Sequence, residues 1–320
     1  MAVTQPLKLS DVDETLLPRT LAGPIFDKSV EMSAVMQLAQ RIPLAIDATT
    51  SIPVSMDVPV ADWTAQAGRK PLSSGGIEVK SMTAKKVAVL IPVSEEVVMT
   101  NAAGLWTKLQ QDLPTAFARA FDHAAIHGKS MRGASGPFGS GEHLTATSKS
   151  VALHTATQAD GGVYADLVNA TKLVVDDDWD FTGWAADRRL QPTLQLATDL
   201  NGRPLYVDTI TQGRDAASAG TLNGDQLAYS RAVSGKYRRQ STSSDTGLRA
   251  IGGDWSQAAY GVGMDVTVRI SKEATYIDEE GGVHSAFQEN LVLLLAEAFY
   301  GFVLGDAEAF VKVTGTPVGS

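Results

Sequence analysis

The chain has 320 residues, 44% hydrophobic and 20% charged, which is long enough for a sizeable core and ordinary for a soluble globular fold. Its net charge of −9 argues against a dedicated nucleic-acid binder, whose phosphate contacts need a basic face. Cysteine is absent, which excludes disulfides, thiolate metal sites and a cysteine nucleophile. No apolar run approaches the ~18 residues of a membrane span. Met1 to Thr20 is polar and acidic, without the basic-then-apolar order of a signal peptide.

In chain order, one helix is expected around Ser29 to Gln40, with Val30, Val35, Met36 and Leu38 as apolar positions and Pro43 closing it. The rest of residues 1–45 reads as an arm with too little apolar content to fold alone. From Ile46 to Val93 the period is two. Val54, Met56, Val58 and Val60 alternate with polar or small residues, and after a glycine-rich turn the chain returns through Ile77 and Val79 to Val93. A lone two-stranded excursion is marginal in water, so it calls for a partner surface.

Ser94 is a good N-cap, and Glu95 and Glu96 suit the positive end of a helix dipole. The helix that follows stacks Leu105, Leu109, Leu113, Phe117 and Phe121 at i,i+4 and stops at Gly128, with a break expected near Pro114. Residues 129–160 read as loop. A helix from Val163 to Val175 is expected to turn Tyr164, Leu167, Val168, Thr171 and Val174 or Val175 to one side. A buried strand over Phe181 to Ala186, a helix over Arg189 to Leu200 stopped by Asn201-Gly202, a strand over Leu205 to Ile210 and a short element over Gln226 to Val233 follow. Val262, Met264, Val266, Val268 and Ile270 mark a clean alternating strand. Glu279-Glu280-Gly281-Gly282 is a turn, and the apolar run Phe287 to Leu304 fits helix or strand on periodicity alone.

Fragments with chemical promise fail on spacing. Gly128-Lys129-Ser130 would need a glycine where His123 stands, and it ends a helix where a phosphate loop begins one. His123 and His127 share a helix face beside Asp122, but the residue after the first histidine is Ala124, not the glutamate of a metalloprotease. Asp176-Asp177-Asp178 lacks calcium-loop spacing and reads as a solvated helix end. Gly139-Ser140-Gly141 and Gly133-Ala134-Ser135-Gly136 are not serine elbows. The basic cluster Arg231, Lys236, Arg238, Arg239 and Arg249 reads as a solvated loop. No catalytic, cofactor-binding or metal residue is assigned, and no cofactor.

Ile91-Pro92-Val93-Ser94-Glu95-Glu96 leading into the long helix that ends at Ala125-Ile126-His127-Gly128, the stretch Gly253-Asp254-Trp255-Ser256-Gln257-Ala258-Ala259-Tyr260-Gly261 before a strand, and Phe287-Gln288-Glu289-Asn290 to Phe302 followed by Asp306-Ala307-Glu308-Ala309-Phe310-Val311 come in a telling order. With the arm and hairpin before them, they resemble the major capsid proteins of tailed bacteriophages (the Hong Kong 97-like fold). The resemblance covers about Ile46 to Val313 and favours extended structure from Leu291. It implies an α+β fold with an N-terminal arm (1–45), an E-loop hairpin (46–93), a peripheral domain with a spine helix (94–160), an axial domain (161–251) and returning peripheral strands (252–320).

The function so implied is structural. The chain would self-assemble into pentamers and hexamers of an icosahedral head enclosing double-stranded DNA, in the host cytoplasm, with no enzymatic activity and no membrane partner. About 45 residues precede the hairpin, fewer than a cleaved scaffolding segment needs, which points to a separate scaffold protein or none, alongside a portal and decoration proteins. Lys70 and Lys80 lie in the hairpin, but no partner asparagine or assisting glutamate for an isopeptide cross-link matches by motif. The rival readings are an encapsulin-type compartment and, from another class, a metal-dependent hydrolase using His123, His127 and an acid.

Overall fold

The computed structural model describes residues 29, 32–46, 49–55, 61–64, 66, 69–70, 72, 77–198, 220–236, 245–278 and 281–315. Its elements are α1 (Ala34–Leu38), β1 (Gln40–Pro43), β2 (Thr50–Ser55), β3 (Ile77–Met82), β4 (Lys85–Ser94), α2 (Glu95–His127), β5 (Ser150–Ala152), α3 (Gly162–Val175), β6 (Gly183–Ala186), α4 (Leu190–Gln195), β7 (Gly220–Leu222), β8 (Asp225–Tyr229), β9 (Leu248–Gly253), β10 (Ala258–Ser271), β11 (Thr275–Ile277), β12 (Val283–Ser285), β13 (Leu291–Leu304) and β14 (Phe310–Thr314). Two main sheets form: a four-stranded one ordered β1-β10-β13-β4 and a six-stranded one ordered β5-β14-β9-β6-β8-β7. Among the described residues, β2 and β3 pair only with each other, as do β11 and β12.

The two sheets share one antiparallel ribbon. β10 pairs with β13 in the first sheet and β9 with β14 in the second. Each chain passes between them through a single 3-10 turn, Trp255–Gln257 on one side and Ala307–Ala309 on the other. Asp254 and Asp306 cap these turns by accepting from the backbone N–H groups of Ser256 (2.9 Å) and Glu308 (2.8 Å). The corners also bind each other: Asp254 N–H donates to the Ala309 carbonyl (3.0 Å) and Gly305 N–H to that of Gln257 (2.7 Å).

Around this ribbon α2 lays Leu113, Phe117, Phe121 and Ala125 on the four-stranded sheet. Phe121 meets Tyr260, Tyr300 and Phe302 edge-on with ring centroids 5.7 to 6.2 Å apart, a geometry that suits the aromatic quadrupole. On one face of the six-stranded sheet α3 packs Val163, Leu167, Ala170 and Val174 against Trp184, Ala250, Val311 and Val313. The other face turns Ala185, Ala228, Ile251 and Phe310 into the cluster shared with α1 and α2.

α1 is too short to be stable alone, and a distant carboxylate holds its start. Asp122, fully buried on α2, accepts from Ser33 Oγ (2.6 Å) and from the N–H groups of Ala34 (3.1 Å) and Val35 (3.3 Å). Burial pushes this carboxyl above the usual range, and its hydrogen bonds, including one from Ser230, pull it back.

Several expectations need correction. α2 runs unbroken for 33 residues from Glu95 through Pro114. A helix-interior proline costs about 3 kcal/mol, and burial of Leu109, Leu113, Phe117 and Phe121 on the sheet offsets it. The helix expected to Gln40 ends at Leu38, and Pro43, expected to close it, lies in β1, which pairs parallel with β10. The strand expected from Ile77 to Val93 divides at Thr83-Ala84: β3 stays in the hairpin while β4 joins β13. α3 buries Val163, Asp166 and Ala170 beside Leu167 and Val174, and leaves Tyr164, Val168 and Val175 exposed. In β10 the alternation is interrupted by register shifts between Val262 and Thr267. β5, in the expected loop, joins β14. The Phe287 run is extended from Leu291, as the resemblance implied. The strand Leu205 to Ile210, the Asn201-Gly202 stop, Glu279-Glu280 and residues 56–60 lie outside the described residues.

The β11–β12 hairpin is clasped by His284, whose ring stacks on Tyr276 (5.0 Å, 16°). Its Nε2 is 2.9 Å from Asp278 Oδ2 and its Nδ1 2.8 Å from Glu289 Oε1. Hydrogen bonds to the two carboxylates raise its pKa above the ordinary 6.5. A raised value means that the clasp contributes fully below about 6.5 and fades as pH climbs through the folded-state pKa. Amide exchange in residues 275–285, corrected for intrinsic rates, should therefore lose protection as pH rises from 6 towards 9, and a His284→Gln variant should show little of that trend. Asp122→Ala should lower stability by about 2–4 kcal/mol, because it orphans buried N–H donors. Asp122→Asn, which keeps one acceptor oxygen, should lose less, as chemical denaturation would measure.

Candidate functional site

The histidine pair His123 and His127, to which no metal is assigned and which only the rival hydrolase reading would use, is engaged by the backbone. His127 Nε2 lies 3.0 Å from the carbonyl oxygens of both Ala232 and Val233, and His123 Nδ1 lies 3.0 Å from that of Lys129. Those nitrogens therefore act as donors and are not available as ligands. Burial lowers both pKa values, that of His127 to about 4, helped by its neighbour's ring 5.0 Å away. Both rings are neutral at neutral pH and fasten the end of α2 to the loops around it.

Gly128 is the left-handed stop of α2 (φ 62°), with its N–H on the Ala124 carbonyl. A Cβ there would stand 2.9 Å from the His143 ring. Asp176 and Asp177 are solvated and lie near Lys172 (3.9 Å) and Lys149 (2.5 Å). Among the described residues no cluster of three or more histidine or acidic side chains can hold a metal ion, and no helix is long and apolar enough to cross a membrane.

The surfaces the fold leaves unfilled carry more information. In the β2–β3 excursion Trp63 is 99% exposed and Leu72 100%, and Val79 on β3 is also open to solvent. Nothing among the described residues covers them. Burying one such side chain would contribute about 1.5–3 kcal/mol.

The root of the hairpin, in contrast, is firmly set. Gly261 and Gly301 face each other across β10 and β13. The recess they leave holds Met82 from the end of β3 and Leu44, both nearly fully buried. A Cβ on Gly301 would lie 2.7 Å from Met82 Cγ and 2.8 Å from Leu44 Cδ2, and one on Gly261 2.7 Å from Leu44 Cβ. The pairing of these glycines was invisible in the sequence, since its signal is a register across two strands separated by about forty residues. At the other end of the ribbon Lys272 pairs with Glu95 (2.8 Å), and Glu95 N–H donates to the Asn290 carbonyl (2.9 Å), joining the start of α2 to the start of β13.

A hairpin rooted in a rigid sheet and ending in bare apolar side chains suits a subunit completed by its neighbours, and known proteins agree. Residues 14–315 match the model of the Phage capsid family. The chain is 30% identical over 302 residues to a probable major capsid protein of Mycobacterium phage D29, covering 93% of this chain and 89% of that one. It is 21% identical over 306 residues to a major capsid protein of Staphylococcus phage 80alpha. Among solved structures, a chain of Gordonia phage Cozz superposes with a TM-score of 0.70 at 28% identity, covering 89% of this chain and 87% of that one. A chain of Mycobacterium phage Ogopogo superposes at 0.69 with 19% identity, which speaks for the fold alone. With almost its whole length matched, this chain belongs to the phage capsid family and is a shell-building capsid protein.

Proposed function

We propose that this chain is the major capsid subunit of an icosahedral phage head, assembling into pentamers and hexamers that enclose double-stranded DNA without sequence-specific contacts. The observation that carries the reading is the β2–β3 hairpin, whose Trp63 and Leu72 are fully exposed while Met82 fixes its root. Large apolar side chains held out on a rooted hairpin favour burial against a neighbouring copy, and stable contacts of that kind bury about 1,200 Å² or more. In this reading residues 1–45 form the arm, 46–93 the E-loop, 94–160 and 252–320 the peripheral domain, and 161–251 the axial domain. β5 and β14, from the peripheral ranges, complete the sheet of the axial strands. In this reading assembly takes place in the host cytoplasm with a separate scaffold protein or none, a portal and, where the head carries one, a decoration protein as partners, and the subunit has no catalytic role. The net charge of −9 is compatible with enclosing DNA, because strong attraction to the cargo would hinder packaging and release.

Negative-stain electron microscopy of the expressed chain, alone and with its genomic neighbours, should show closed shells or rings of subunits. Strictly monomeric protein under all conditions would sink the reading. Gly301→Val should force Met82 and Leu44 out of their recess, lower stability by about 1–3 kcal/mol and reduce particle yield. Thermal unfolding and particle counts would check both, and Gly301→Ala should be milder.

A further inference from the structure

The six-stranded sheet carries opposite charge at its two ends. β6 and β8 run parallel, with Gly183 beside Gln226 and Ala186 beside Tyr229, so their starts and finishes coincide. At the starting end stand Asp176, Asp177, Asp178 and Asp180, all exposed in the turn after α3, and Asp225 at the head of β8. At the finishing end stand Arg188, Arg189, Arg231 and Lys236, also exposed. Asp245 there is already engaged by Arg189 and by Arg249 (2.9 Å), and buried Asp187 accepts from the Arg189 N–H (2.8 Å).

A groove of about 320 Å³ runs along the outer side of α3 to the acidic end, lined by Tyr164, Val168, Lys172, Val175, Asp176 and Asp225 among others. Apolar surface lies open in it beside Lys172, with Tyr164 44% exposed and Val175 51%. Lys172 and Lys149 of the same subunit lie near Asp176 and Asp177, whereas among the described residues Asp178, Asp180 and Asp225 make no ion pair, and the first two stand past a helix C-terminus that already carries partial negative charge. A cation from outside would balance that excess.

We infer that the α3–β8 groove of one subunit receives the Arg188, Arg231 and Lys236 end of the next copy around each ring. A closed ring of more than two identical subunits joins two different patches of the same chain. Here the two patches are opposite in charge and lie at opposite ends of one rigid sheet. The inference rests on the shell reading above and assigns a contact within it.

Two charge-reversed full-length variants test it, Asp176→Lys with Asp180→Lys and Arg231→Glu with Lys236→Glu, followed by particle counts, sedimentation and circular dichroism. Each should keep the wild-type fold and need roughly tenfold more protein to assemble, the loss expected from removing interfacial charge pairs. The two variants mixed in equal amounts should recover even-membered rings, since each end then meets its opposite. A chain carrying all four changes should recover rings of every size. Val168→Ser, which leaves charge alone, should weaken assembly too. Reversed variants that assemble like wild type, or a mixture no better than its parts, would overturn the assignment while leaving the shell reading intact. Intact particles that lose only DNA on reversal of Arg231 and Lys236 would assign that end to the nucleic acid instead. Wild-type protein that never assembles overturns the shell reading itself.

Discussion

The fold depends on one antiparallel ribbon that serves two sheets. β9 continues into β10 and β13 into β14, through corners of four and five residues. Hydrogen bonds between the corners prevent one from opening without the other. Packing there is too close for ordinary side chains: a Cβ on Gly252 would meet Phe181 at 2.4 Å, and one on Gly253 the Ala309 carbonyl oxygen at 2.3 Å. Interiors packed to crystal density transmit displacement instead of absorbing it. The relative placement of the two sheets is accordingly a property of the ribbon, and the helices are seated on a frame already set.

That frame decides what remains outside. α2 and the four-stranded sheet satisfy one another, α3 covers one face of the six-stranded sheet, and α1 is fastened beneath by Asp122. Among the described residues, what stays open is Trp63, Leu72 and Val79 of the β2–β3 excursion and the outer side of α3. A subunit with rigid interior packing and apolar projections suits a lattice, because contacts between copies then draw on surfaces ordered before assembly, at lower entropic cost. The chemistry that might have competed is absorbed into structure: His123 and His127 are neutral and hydrogen-bonded to carbonyl groups, and Gly128 is a helix stop.

Elements whose signal is local were legible in the residues. The strand at β10, the acidic first turn of α2 at Glu95 and Glu96, its stop at Gly128 and the span of α3 follow from side-chain period, dipole and the left-handed glycine stop, although Ser94 makes no side-chain cap hydrogen bond. Elements whose reason lies far along the chain were not. β1, β5 and β14 are short and owe their existence to a neighbour in β10, β14 or β9. The inner face of α3 departs from the expected one because Ala170 packs on the sheet and Asp166 accepts from the N–H groups of Thr155 and Ala156, while the larger Tyr164 and Val168 face out, against the usual weighting of hydrophobicity. Of the candidate site, the hairpin's need for a partner surface could be anticipated, but its root in Gly261, Gly301 and Met82 could not.

By itself the sequence determined the class of the protein: an α+β chain with no disulfide, no assignable catalytic motif, a long capped helix, strong strands and a hairpin lacking an internal partner. Those are consequences of local propensity and of apolar surface that must be buried somewhere. Only the tertiary structure decided that Pro114 lies inside a continuous helix, that Asp122 caps α1, that two glycines make room for Met82, and which side of α3 stays open. Each of these depends on atoms brought together from distant parts of the chain, and packing and hydrogen bonding at that range override local preference.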